Sequence, residues 1–240
     1  MTTLRAINKT RLICPVRSVS ISISAYFSTT VARFQESGVI FACMKTLILH
    51  PEDYPSTTFL KNIYANLKDK TVITGGITKA VLRNHILSVD RILCLGHGSS
   101  SGLFSSGQFP DYYIIDDSMA DCLRTKTSNI FIWCNADQYV HRNGLTGFYT
   151  GMFLSQIDEA LMYDFPYTDD LEQVIDESNV GFSSIVGRHI NEPLDVLYRY
   201  IMRDYGILAR TNRIAKFNHE RLYLSQPQPD LFGYKVVSTL

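Results

Sequence analysis

Two stretches of the chain decide its fold: residues 91–98, Arg-Ile-Leu-Cys-Leu-Gly-His-Gly, and residues 129–135, Asn-Ile-Phe-Ile-Trp-Cys-Asn. Each is a short apolar run that stops at glycine or polar residues, as buried strands of a parallel sheet do. Apolar runs at 45–50 and 71–74 alternate with segments of helical periodicity, which indicates βαβ units. The sequence therefore predicts an α/β fold, in which helices flank a mostly parallel sheet in a three-layer, flavodoxin-like arrangement.

The same alternation predicts the elements between and after these two stretches. A loop rich in Ser and Gly is expected at 99–108, and a short strand is expected at 112–115. The glycines of 144–151 should lead into a helix that contains Met152, and residues 160–163 should form a final strand.

The chain is expected to divide into four segments. They are a leader at 1–43, the α/β core at 44–166, a helical extension packed on the core at 167–226, and a loose tail at 227–240. Within the extension, the acid-rich stretch 169–179 predicts a solvated helix or loop. An apolar stripe at helical spacing predicts a long helix that begins near Pro193.

The leader is basic, with five Lys and Arg residues against one acid. Two interpretations are open. The leader has the composition of an organelle transit peptide, and it could equally be upstream sequence that is translated by mistake. We favour the second interpretation, because Met44-Lys45-Thr46 is followed directly by a strand-like run, as at an ordinary cytosolic start.

Composition excludes several classes of function. The net charge is zero, with 23 basic and 23 acidic residues, so nucleic acid is not an expected partner. No apolar run is long enough to span a bilayer, so no membrane association is expected. The five cysteines form no close pairs, which argues against disulfides and a zinc site and favours a reducing, cytoplasmic location. No metal or cofactor is predicted.

A candidate site lies at the carboxyl ends of the two central strands. His97 follows one strand and Cys134 ends the next long one, and ligands of open parallel sheets bind at this edge. An imidazole beside a thiol makes a base and a nucleophile for attack on a carbonyl. Backbone N–H groups of Gly98 and Cys134 could then stabilise the oxyanion.

The order of these residues resembles that of caspase-like cysteine peptidases, the group that includes gingipains, legumains, separases and CHAT domains. The resemblance rests on 92–98 and 130–135, and it extends over about 45–164. It implies a His97–Cys134 dyad that cleaves a peptide or protein substrate through an acyl-enzyme, with the Gly98 N–H as oxyanion donor. It also equates 147–153 with a helix after the nucleophile and 159–163 with the strand that follows.

Substrate contacts are expected from Asp116, Asn135 and Asp137, which follow or precede strands at the same sheet edge. An acid there could recognise a basic substrate residue, although helix capping would equally explain Asp116. Trp133 either crowds the site or forms the wall of a specificity pocket. His141 could replace His97 as the partner of the thiol.

Two other functions stay open. A non-catalytic member of the same fold could bind a peptide or small signalling ligand in the cleft. A flavodoxin-like domain could bind a nucleotide at the Gly75-Gly76 turn, although that turn lacks a fuller glycine fingerprint. The sequence does not specify an oligomeric state.

Overall fold

The structure is a computed structural model that describes residues 44–53 and 55–226. Within these ranges the strands are β1 (Thr46–Leu49), β2 (Lys70–Ile73), β3 (Arg91–Leu95), β4 (Gly98–Ser99), β5 (Gly102–Phe104), β6 (Tyr113–Ile115), β7 (Asn129–Ile132), β8 (Gly147–Thr150) and β9 (Leu222–Ser225). The helices are α1 (Lys61–Tyr64), α2 (Lys79–Leu87), α3 (Ala120–Arg124), α4 (Ala136–Arg142), α5 (Ile157–Met162), α6 (Leu171–His189), α7 (Leu194–Leu208) and α8 (Arg213–His219). The predicted leader and tail lie outside the described residues.

The main sheet has six strands in the order β2-β1-β3-β7-β8-β9. The first five strands run parallel to their neighbours, and only β9 is antiparallel, against β8. The prediction of an α/β fold with a mostly parallel sheet is therefore confirmed.

Helices cover both faces of this sheet. Successive strand residues point to opposite sides, and because the strands are apolar throughout, both faces need to be covered. Leu47, Cys94 and Phe131 belong to a core with side chains of α2, α3 and α4. Ile48 and Leu93 belong to a second core with α1, α6, α7 and α8. The result is the predicted three-layer arrangement.

A small antiparallel sheet, β4-β5-β6, occupies the region where a Ser- and Gly-rich loop was predicted. Gly102 makes its hairpin possible: the residue has a φ of 143°, and a Cβ atom there would collide with the carbonyl oxygen of Ile115. The predicted strand at 112–115 corresponds to β6.

Two elements after the second central strand were predicted wrongly. Residues 147–150 form strand β8 and not the approach to a helix, and residues 160–163 are no strand, since 160–162 end helix α5. The helix that follows Cys134 is α4. Apolar runs of about four residues carry too little periodicity to separate a strand from a helical turn. In α5 the apolar run is largely exposed, with Met162 at 80%.

The C-terminal helices α6, α7 and α8 cover one face of the main sheet together with α1. The helix after Pro193 is confirmed as α7. The stretch 169–179 is less solvated than expected, because α6 buries Ile175 and Asn179 on the side facing its neighbours. Along the described ranges, no helix has both the length and the apolar composition needed to cross a bilayer.

Candidate active site

The two central strands bring His97 and Cys134 to one cleft. Strands β3 and β7 are parallel neighbours, with Leu95 opposite Ile132, and each site residue follows two positions later. His97, Gly98, Cys134 and Asn135 all line a cleft of about 600 Å³ at this sheet edge. Four of the six predicted site residues are therefore brought together.

Polar groups other than the thiol hold the imidazole of His97. Its Nε2 lies 2.8 Å from Ser56 Oγ and 3.0 Å from Gln156 Nε2. The carboxylate of Asp53 is 3.8 Å from the same nitrogen. The histidine is thus oriented by the segment after β1 and by the residue that precedes α5.

The thiol of Cys134 is hydrogen-bonded to acceptors of the segment between β8 and the first turn of α5. Its Sγ lies 3.4 Å from the carbonyl oxygen of Phe153 and 3.5 Å from Glu159 Oε1. Burial raises the pKa of the Cys134 thiol well above its usual value, and the negative charge of Glu159 raises it further. The thiol is protonated at neutral pH, and among the described side chains no hydrogen bond joins it to His97.

Glu159 links this thiol to the start of helix α5. Its Oε2 accepts hydrogen bonds from the backbone N–H groups of Ser155 and Gln156, at 2.7 and 3.2 Å. Gln156 and Glu159 form a capping box, which fixes the carboxylate at the cleft wall. The spacing of Gln156 and Glu159 was the available signal, and it was missed because 159–163 was assigned to a strand.

Trp133 does not line the cleft of about 600 Å³, although it lines a cavity of about 20 Å³ beside His97 and Cys134. Its side chain points to the sheet face covered by α2, α3 and α4, and it is only 1% exposed. Its Nε1 donates to the carbonyl oxygen of Ser99 at 3.0 Å. A Cβ atom on Gly98 would collide with the indole, so the tryptophan packs directly beneath the predicted oxyanion residue and requires glycine there.

The turn after Cys134 has an unusual backbone. Asn135 has a φ of 64°, in the left-handed region that asparagine tolerates better than most residues. Its N–H donates to the carbonyl oxygen of Gly151 at 3.0 Å. This sharp turn separates the end of β7 from α4 and leaves Cys134 at the cleft.

The other two predicted substrate contacts, Asp116 and Asp137, do not line the cleft. Asp116 forms an ion pair with Lys79 at 2.5 Å and caps the following turn by accepting from the Ser118 N–H. Asp137 lies in α4. Local capping and a lysine partner therefore account for Asp116.

His141, the alternative partner of the thiol, and the Gly75-Gly76 turn, the alternative nucleotide site, both lie outside the cleft. His141 Nε2 is 2.9 Å from Tyr149 Oη, away from the cleft, so it is not the partner of Cys134. Gly76 donates its N–H to Gln108 in a turn. Nowhere in residues 44–53 and 55–226 do three or more His, Cys, Asp or Glu side chains group in a way that could hold a metal ion.

The rim of the cleft is apolar and exposed. Tyr112 is 72% exposed and Met162 is 80% exposed, and both line the cleft. The ring of Phe104 lies 5.2 Å from that of Tyr112. Large apolar side chains clustered around a cleft mark binding surfaces, and carboxylates of Asp53 and Glu159 add negative charge inside.

Compared with models of protein families, with curated proteins and with solved structures, the chain gives no match.

Proposed function

We propose that the protein is a cysteine peptidase-like hydrolase that cleaves peptide bonds with Cys134 as nucleophile and His97 as base. The observation that supports this most is the placement of both side chains in one cleft, beyond the ends of neighbouring parallel strands. The resemblance to caspase-like peptidases rests on the same two residues.

The proposed reaction has two stages. His97 takes the proton of the Cys134 thiol, and the thiolate attacks the substrate carbonyl. The oxyanion accepts a hydrogen bond from the Gly98 N–H, the C–N bond breaks, and the imidazolium gives its proton to the departing amine. Water, deprotonated by His97, then hydrolyses the thioester and restores the free thiol.

Substrate must change the resting contacts for this chemistry to begin. Cys134 is bound to Glu159 and Phe153, and His97 is bound to Ser56 and Gln156. A peptide in the cleft would displace the Ser56 and Gln156 contacts and let the imidazole approach the sulfur. In this proposal the resting protein is a latent enzyme.

A second candidate is a protein of the same fold that binds peptides without cleaving them. The raised pKa of the Cys134 thiol favours it, because a thiol that stays protonated is a poor nucleophile. The exposed apolar rim suits either function. In this case ligand binding would survive Cys134→Ser, and no acyl-enzyme would form.

A reducing location, such as the cytoplasm, accords with the cysteines. Cys94, Cys122 and Cys134 are all free thiols. Cys94 and Cys122 are buried among apolar side chains, where they behave as small hydrophobic residues.

The test is cleavage of a quenched-fluorescent peptide library by the purified full chain, with mass spectrometry to detect an acyl-enzyme. We expect Cys134→Ala and His97→Ala to reduce turnover on the order of 10³-fold or more. Cys122→Ala, which removes a thiol outside the cleft, should retain activity. Undiminished cleavage by Cys134→Ala would refute the assignment, and peptide binding with neither cleavage nor an acyl-enzyme would support the second candidate.

A further inference from the structure

A second groove begins where the cleft ends. It has a volume of about 600 Å³ and runs between the segment after β1 and helices α5 and α6. Gln156 lines both the cleft and this second groove, and Ser56, which contacts His97, lines the second groove. An extended chain leaving the cleft on this side would therefore enter the second groove.

Three carboxylates give the second groove a negative charge. Asp158, Glu172 and Asp176 are exposed on its walls, and no Lys, Arg or His lines it. Within the part of the chain that the structure describes, none of the three is in an ion pair. Their charge is thus available to a cation from outside.

A buried amide in the second groove also has an oxygen without a hydrogen-bond donor among the described residues. Asn179 lines the groove and is only 4% exposed. Its Nδ2 donates to the carbonyl oxygen of Ser155 at 3.0 Å, which fixes the orientation of the amide. Its Oδ1 accepts no hydrogen bond from the described residues. A buried acceptor without a donor is costly, and a ligand that brings an N–H group would relieve that cost.

The apolar part of the groove suits an aliphatic chain. Phe59, Ile175 and Val180 line it beside the carboxylates, and Val180 is 53% exposed. Lysine and arginine side chains combine such a stem with a cationic group that only donates hydrogen bonds.

We propose that the second groove binds a lysine or arginine side chain of a peptide that occupies the neighbouring cleft. The carboxylates attract the cation, the apolar wall contacts its stem, and the Asn179 Oδ1 accepts one of its N–H groups. That the ligand is a peptide rests on the proposed function, whereas its positive charge follows from the groove itself.

Fluorescence anisotropy with the full chain tests this proposal. The probes are a fluorescein-labelled tetra-arginine peptide and its tetra-citrulline counterpart, which has nearly the same shape but no positive charge. We expect the arginine peptide to bind about tenfold more tightly, with the difference shrinking in high salt. Glu172→Gln and Asp176→Asn should each weaken its binding about threefold. The matched control, Asp69→Asn, removes an exposed carboxylate outside the groove and should leave binding unchanged.

Equal binding of the two peptides, or an equal loss in Asp69→Asn and Glu172→Gln, would overturn the groove proposal. The assay does not depend on catalysis, so the two proposals fail separately. If the groove variants weaken binding of the arginine peptide but no peptide is cleaved, the groove proposal is supported and the peptidase proposal is contradicted. If the Cys134 thiol cleaves peptides but the arginine and citrulline peptides bind equally, the peptidase proposal is supported and the groove proposal is contradicted.

Discussion

The histidine side and the cysteine side of the cleft are built in opposite ways. On the histidine side, His97 contacts the hydroxyl of Ser56 and the amide of Gln156, with the Asp53 carboxylate 3.8 Å away. On the cysteine side, Cys134 contacts a carboxylate and a backbone carbonyl oxygen. The histidine therefore has a neutral hydroxyl and amide at hydrogen-bond distance, whereas the thiol has only acceptors, which keep a proton on sulfur.

This difference shows that strand topology and electrostatics contribute separately to a site. The parallel pairing of β3 and β7 delivers both side chains to one sheet edge. The protonation of the thiol is set by its burial and then by the charge of Glu159, which comes from the first turn of α5. Proximity alone therefore does not make a reactive dyad, and the contacts of each side can be changed one at a time.

The largest effect should come from Trp133, because it supports both sides. It packs beneath Gly98 on the histidine side and directly precedes Cys134 on the other. We expect Trp133→Ala to lower the free energy of unfolding by about 3–5 kcal/mol, the usual cost of removing a large buried aromatic ring. Urea denaturation measures this, with Tyr112→Ala as the exposed aromatic control. A similar small loss in both variants would show that the two sides do not share this support.

A second imidazole, that of His50, should make the stability of the folded protein sensitive to acid. His50 is buried beside Tyr64, with Nδ1 at 3.0 Å from the tyrosine oxygen, and burial lowers the pKa of His50 to about 4. The ordinary pKa of about 6.5 applies in the unfolded chain, so the unfolded chain binds the proton more tightly. Stability is therefore full above about pH 6.5 and falls as the pH drops towards 4.

Between pH 7 and pH 5 this imidazole should cost about 2 kcal/mol of folding free energy. Urea denaturation at both pH values measures the loss, and His50→Gln should remove most of it. A variant that loses as much stability as the wild type over this range would assign the acid sensitivity to other groups.

The cysteine side should respond to removal of a single charge. Glu159→Gln keeps a side chain that can accept the capping hydrogen bonds but removes the charge that raises the pKa of Cys134. We expect alkylation of Cys134 at neutral pH to become about tenfold faster, which corresponds to a fall of about one pKa unit. Mass spectrometry of the alkylated Cys134 peptide reports the rate, and Glu172→Gln is the matched charge control. Equal rates in the wild type and Glu159→Gln would mean that burial alone holds the proton on sulfur.

Much of the fold was predictable because its two central strands are apolar runs that stop at glycine or polar residues. Strand β3 is the apolar part of the stretch 91–98, and the parallel sheet follows from the alternation of strands and helices. The errors at 147–150 and 160–163 fall where a four-residue apolar run fits a strand and a helical turn equally well. There, tertiary packing and the capping box of α5 decide the conformation, and neither follows from hydrophobic periodicity.

The same distinction holds for the site. The meeting of His97, Gly98, Cys134 and Asn135 in one cleft was predictable, because the carboxyl ends of parallel strands meet at one edge. The groups that set their chemistry were not predicted; these are Asp53, Ser56, Gln156 and Glu159. They come from segments distant in sequence, whose paths depend on how α5 and the loop after β1 pack.

The position of β9 at the end of the described chain affects how the protein folds during its synthesis. Strand β8 pairs on one side with β7 and on the other with β9, which comes about 70 residues later. Until that late segment is synthesised and pairs with β8, the backbone of β8 is an open strand edge. Two residues of this strand, Phe148 and Tyr149, are large and apolar. Open strand edges recruit other chains, so a chain whose β9 has not yet docked should aggregate more readily than the folded chain. The need for chaperones should therefore be greatest late in translation, after the cleft residues have been made and before β9 pairs with β8.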